Sequence, residues 1–184
     1  HRDLHYPLRR QRQMCIRDRV KCAAAGEKGI MQGMTAAHNE VRAGVDDMQG
    51  LVWSDELAEF AQQWADYLAK DRTCAMRHRP KEGRAPHNYG ENLYWAGPFR
   101  RPGGQDEMQH ITPDEVVESW AKEAADYEYK NNSCRTGRVC GHYTQIVWKQ
   151  TARVGCGRAL CADESQIWVC NYDPPGNFLG QKPY

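Results

Sequence analysis

His78, Glu91, Glu123 and His142 are the side chains of this sequence whose types could hold a divalent ion or move a proton. Glu123 is placed oddly. It falls seven residues after Val116 and three after Trp120, on the apolar seam of the helix read in TPDEVVESWAKEAADYEY. A carboxylate on such a seam costs several kcal/mol unless a cation, a metal or a donor pairs with it; snorkelling to water from the helix edge is the equal alternative. His142 stands between Gly141 and the run QIVWKQ, which reads as a core strand, with Cys140 close by. A lone histidine is more often a satisfied core residue than a ligand. Zinc asks for at least three protein groups, or for two with water in the open positions. His78 follows Cys74 by four residues and Glu91 lies in YGEN, both in an irregular stretch that could fold over a helix. No spacing among the four makes a metal motif of the H-E-x-x-H kind. Two neutral imidazoles holding an ion with bound water would leave Glu91 or Glu123 to serve as general base. No nucleophile with a base and an orienting partner is apparent.

Such residues need elements to carry them. WSDELAEFAQQWADYLAKD reads as an amphipathic helix. Ser54 caps it, Asp55 and Glu56 suit its positive end, and Leu57, Phe60, Ala61, Trp64, Ala65 and Leu68 form one stripe. A shorter helix is expected over residues 35–43 with Thr35 as its cap. The helix carrying Glu123 opens on a capping box, Thr112 with Glu115, and has Pro113 at its first position. Residues 74–112 are irregular around a short YGENLYW segment, and GPFRRPGGQDEMQH is a loop. The last third reads as short strands, QIVWKQ, RVGCGRALC and SQIWVCNY, with CADES at a hairpin tip. Helices first and an antiparallel sheet afterwards predict an α+β fold of packed helix and sheet layers.

A chain of 184 residues is one domain with room for an arm. A net charge of +1 gives no electrostatic footprint for a nucleic acid partner. No apolar run approaches the roughly 20 residues of a transmembrane helix. Six of the eight cysteines, Cys74, Cys134, Cys140, Cys156, Cys161 and Cys170, lie in the body. Only Cys156 and Cys161 have near-zinc spacing and no second pair follows, so a disulfide framework and an oxidising compartment are expected. With the hairpin turn near Asp163, Cys156 and Cys170 face each other across two strands. Cys134 and Cys140 close a tight local loop, which leaves Cys74 for Cys161 by elimination. Residues 1–33 read as a basic arm, disordered or partly non-native, because QRQMCIRDR resembles translated sequencing-adaptor read-through. This arm has no apolar h-region of a signal peptide, and Cys15 and Cys22 receive no role. Glycines at 26, 29 and 33 mark a linker into the folded domain, residues 34–184. Asn131 opens a glycosylation sequon, Asn131-Asn132-Ser133.

GHYTQIVWKQTARVGCG followed by VCNYDPPGNFLGQKPY resembles the two signature blocks of the CAP superfamily, the cysteine-rich secretory, antigen five and pathogenesis-related group one proteins. AHNEVRA, LVWSDELAEFAQQWA, YGENLYW and VVESWAKEAADYEY fall in family order, so the likeness runs from about Met34 to Tyr184 and is closest to the plant group. AGPFRRPGGQDEMQHITP is a longer insertion than that group carries. The resemblance implies a three-layer α-β-α sandwich with a central antiparallel sheet and a groove. The family's two histidines and two glutamates map onto His78, Glu91, Glu123 and His142, and the histidine pair could hold a weak, exchangeable divalent metal such as zinc. Tyr143 and Gln145 could hydrogen-bond a ligand there, with core and strand roles equally open.

Three functions follow from the resemblance. The preferred one is a secreted binding protein, periplasmic if bacterial, that takes an apolar or sterol-like ligand, a membrane lipid or a protein partner in defence. A positioned nucleophile or a third strong zinc ligand is missing, which sets a zinc-dependent esterase or protease second. The third is a precursor releasing Pro174 to Tyr184 as a signalling peptide, against which stands a Pro/Gly-rich tail closing over the sheet.

Overall fold

Local signals place the elements, and long-range packing corrects some of them. The computed structural model describes residues 26–70, 74–80 and 88–184; the predicted arm up to residue 25 lies outside them. Residues 26–33, read as a linker, instead carry a 3-10 turn at Gly29–Met31, with Glu27 and Met31 buried. Helix α1 (Met34–Ala43) follows. Its N-cap is Gly33, in the left-handed region at φ 103°, and not Thr35. The free N–H groups of the first turn are met by Glu27: Oε2 accepts from Gly33 N at 2.8 Å and Oε1 from Thr35 N at 2.6 Å. A carboxylate at the positive end of a helix does the work of a hydroxyl cap and adds charge.

After the two-residue strand β1 (Val52–Trp53) comes α2 (Asp55–Lys70), which buries Leu57, Ala61, Trp64, Ala65 and Leu68 as its stripe requires. Strand β2 (Gly90–Ala96) precedes α3 (Pro113–Ala121), whose Thr112–Glu115 capping box is formed as read. The α-helix ends sooner than the sequence suggests. Residues Lys122–Asp126 tighten into a 3-10 turn, and Tyr127 begins a small hairpin of β3 (Tyr127–Glu128) and β4 (Ser133–Cys134).

QIVWKQ is not a strand. Gly141–Ile146 forms a short helix, α4, with Thr144 N bonded to Cys140 O and Val147 N to Tyr143 O, both at 3.0 Å. Residues 143–148 are all buried. Burial on every side erases the polar–apolar contrast that separates a helix from a strand, and β-branched residues tip the reading the wrong way. Tyr143, Ile146 and Val147 at helical spacing are the signal that was there.

Strands β5 (Arg153–Leu160) and β6 (Gln166–Asp173) form the expected hairpin. The sheet order is β1-β5-β6-β2, antiparallel except for the β1–β5 pair. Side-chain alternation gives each face its own core. On one face Leu93, Ala159, Ile167 and Val169 meet α2. On the other, Val154, Trp168 and Tyr172 meet α1, α3 and α4. The result is the α-β-α sandwich. Gly155 and Gly157 let α2 lie directly on β5: a Cβ on Gly155 would run into the Ala58 backbone N and come within 2.5 Å of Ser54 O. All three cysteine pairs form as read, Cys74–Cys161, Cys134–Cys140 and Cys156–Cys170.

Candidate functional site: two carboxylate-held histidines

His142 sits in the first turn of α4 and Glu123 in the 3-10 turn after α3. Glu123 Oε1 lies 2.6 Å from His142 Nδ1, while Oε2 accepts from His142 N at 2.9 Å and from Tyr143 N at 3.3 Å. Burial alone would raise this carboxyl, but the bonds from the His142 ring and the two backbone N–H groups outweigh it and hold the group below the usual range. An ionised carboxylate can only accept, so Nδ1 is the donor, and in the neutral form of the ring the lone pair is on Nε2. The Trp120 ring is stacked on the imidazole with centroids 6.1 Å apart, and Asn92 Nδ2 donates to His142 O at 3.1 Å. Of the two readings of the glutamate on the seam, the donor is the one that holds.

The second pair is built the same way. His78 Nδ1 lies 2.8 Å from Glu91 Oε1, which also accepts from Arg79 N at 2.9 Å. The Glu91 side chain is 1% exposed and that of His78 57%. A buried carboxylate thus holds an imidazole that reaches water. Arg79 anchors the segment against α2, its guanidinium 3.7 Å from the centre of the Phe60 ring and its Nη2 donating to Phe60 O at 2.6 Å.

Alternation along β2 decides how the pairs relate. Tyr89 packs on Phe60 and Leu93 on α2, so Glu91 between them faces the α2 layer. Asn92 points the other way, to His142 O and Tyr172 Oη. The four residues form two His–Glu pairs, one approached through each face of β2. Among the described residues no three His, Cys, Asp or Glu side chains form a metal-holding group.

Tyr143 and Gln145 turn to other partners. Gln145 Oε1 accepts from Gly176 N at 2.9 Å and its Nε2 donates to Thr151 Oγ1 at 3.3 Å, so it holds the C-terminal segment. Tyr143 Oη lies 3.4 Å from Tyr184 Oη. Residues 174–184 cross α4 as a strap. Asn177 Nδ2 donates to Gly141 O, Lys149 N to Pro183 O, and Tyr129 stacks on Tyr184 with centroids 5.0 Å apart. The tail closes over the helix that carries His142.

Sequence reasoning missed a buried relay that ends at this helix. His38 Nδ1 lies 2.8 Å from Met34 O, a carbonyl, so that nitrogen must donate. Nε2 then accepts from Tyr172 Oη at 2.8 Å, and Tyr172 Oη accepts from Asn92 Nδ2 at 3.1 Å. Burial pushes His38 down to about 4, which keeps the ring neutral. Asn92 is the branch point, giving its amide to Tyr172 and to His142 O. Its place beside Glu91 in GENL, on the opposite face of a strand, was the available signal; Trp120, three residues before Glu123, was another.

The model of the cysteine-rich secretory protein (CAP) family matches residues 35–172. The chain belongs to this family. A CAP protein of tobacco, Nicotiana tabacum, pathogenesis-related protein 1C, is 42% identical over 149 residues, covering 80% of this chain and 77% of its own. The venom allergen-like protein 4 of Schistosoma mansoni shares the CAP fold, at a TM-score of 0.60 and 21% identity, over 83% of this chain and 91% of its own. So does NaASP2, solved with Zn2+, at a TM-score of 0.65 and 21% identity, over 86% of each chain. The chain is a CAP protein of the pathogenesis-related kind, with a mixed α+β fold stapled by three disulfides. No helix among the described residues is long and apolar enough to cross a membrane.

Proposed function

We propose that this CAP protein is a secreted defence-type binding protein whose paired histidines take a divalent ion weakly and reversibly, and whose work is engagement of a ligand or partner without turnover. One observation carries the reading. Both imidazoles have Nδ1 held by a carboxylate, at 2.8 Å in His78–Glu91 and 2.6 Å in His142–Glu123. That is how proteins orient a histidine whose other nitrogen binds a metal, because it fixes the tautomer and raises the basicity of Nε2. Imidazole donors of this kind suit zinc, and the Zn2+ in the name of the solved relative NaASP2 agrees with that choice. An ion bound at such a site would act as a Lewis acid or a bridge to an anionic ligand. His78 and His142 would hold it, and Glu91 and Glu123 would orient them.

The same geometry weighs against Glu123 as the base of a hydrolase. A general base needs a free carboxylate oxygen near its proton, whereas Glu123 gives both oxygens to His142 and Tyr143. An apolar or sterol-like ligand, a membrane lipid or a protein partner remains the object of the binding reading. Secretion is supported by the three disulfides, which persist in oxidising compartments.

Calorimetric titration with zinc tests the proposal. His142→Ala and His78→Ala should each weaken binding, the double variant should abolish it, and Glu123→Gln should cost about 10–100-fold in affinity. Affinity unchanged in the double variant would remove the metal assignment. Turnover of an ester or peptide library that Glu91→Gln or Glu123→Gln abolishes would overturn the binding reading itself.

A further inference from the structure

We infer that Asn131 is an N-glycosylation site, and that its glycan covers the hairpin on which the C-terminal strap docks. The inference rests on the secreted reading above, since the modification needs passage through a glycosylating compartment. Asn131-Asn132-Ser133 is the single Asn-x-Ser/Thr sequence in the 184 residues. The fold puts it at the tip of the β3–β4 hairpin, where Asn131 and Ser133 are exposed.

The two neighbouring asparagines are used differently. Asn132 is tied inward: its Oδ1 accepts from Tyr127 Oη at 2.8 Å, its Nδ2 donates to Gln181 O at 2.8 Å, and at φ 51° it makes the left-handed turn back into β4. Asn131 points outward, with Nδ2 donating, among the described residues, only to the exposed Glu128 Oε2 at 3.0 Å. Transfer from a lipid-pyrophosphate-linked oligosaccharide forms a bond from Nδ2 to the first sugar's C1. It breaks the C1–O bond to the pyrophosphate, and the lipid pyrophosphate leaves with the proton lost from Nδ2. The modified amide keeps one N–H, so the bond to Glu128 survives. Asn132 has no such freedom.

The placement has a consequence for the tail. Tyr129, two residues earlier, donates to Tyr184 O at 2.6 Å, and the Lys182 ammonium lies 4.0 Å from the centre of the Tyr129 ring. A bulky, solvated sugar at Asn131 stands beside the last turn of the strap and limits access of a protease to it.

The test uses the whole chain behind a heterologous signal sequence in a glycosylating eukaryotic host, so entry into the secretory route is imposed and native localisation does not enter the result. The secreted protein should carry a mass increment that peptide-N-glycosidase removes and that both Asn131→Gln and Ser133→Ala abolish. Enzymatically deglycosylated protein should lose its C-terminal residues to a broad-specificity protease several-fold faster than the glycosylated form. A folded, secreted product without glycan, or one whose glycan persists in Asn131→Gln, overturns the site. Equal rates of tail loss overturn the shielding role.

Discussion

His38 sits between Met34 O and Tyr172 Oη in the middle of α1, and burial, with the Arg42 charge nearby, pushes its pKa from 6.5 to about 4. The sign of the consequence is fixed. Between pH 6.5 and about 4 the unfolded chain binds a proton at this position and the folded chain does not, so stability falls as pH falls through that window. The full loss is roughly 3 kcal/mol. Below about 4 the folded ring also protonates and this loss levels off. Urea unfolding followed from pH 7.5 to 4.5 should show the slope, and His38→Gln should flatten it; an identical slope in the variant would refute the assignment. Glu123 contributes separately and at lower pH, because its carboxyl is held below the usual range and its share is lost only when that group protonates. The His38 relay was not legible in sequence, since its partners Tyr172 and Asn92 are distant along the chain and no spacing rule joins them. Glu123 was legible as a seam carboxylate that either meets a donor or snorkels to water, and the family likeness grouped it with His142 without pairing the two.

At the scale of elements, close approach decides more than propensity. Helix α2 can lie on β5 only because Gly155 and Gly157 offer no Cβ to its backbone at Ala58 and Gln62. Gly155→Ala should therefore force the helix off the sheet and cost about 1–3 kcal/mol, as overpacking does. The check is the denaturation midpoint at neutral pH, and an unchanged midpoint would mean that the layers are not in contact there. The elements with strong local marks, the α2 stripe, the Thr112–Glu115 box and the β5–β6 hairpin, were readable because each mark acts within a few residues. Helix α4 was not. It is six residues long and buried from Tyr143 onward, so the run QIVW has no solvent face to leave a period in its sequence. The α1 cap was hidden for a related reason. Its carboxylate, Glu27, comes from six residues before Gly33 and not from the cap position itself.

For the whole molecule, the disulfides and the strap hold the two His–Glu pairs to one scaffold. Cys74–Cys161 bridges 87 residues and fixes the segment that leads to His78, while Cys134–Cys140 ties the hairpin to the start of α4, just before His142. Pairing was readable for Cys156–Cys170 because register in a tight hairpin is a local matter, and these residues are direct partners across β5 and β6. What the sequence could not carry is the side of the sheet on which each histidine lies. That depends on β2 being the outer strand and on which of its faces Glu91 takes. Nitrogen-detected NMR of the histidine rings, followed over pH, reads directly which nitrogen each neutral imidazole leaves open. In their neutral form His78 and His142 should both carry the proton on Nδ1 and leave Nε2 bare, with Nε2 the atom that shifts on adding zinc. Neutral rings protonated at Nε2, or zinc shifts confined to other residues, would contradict the account.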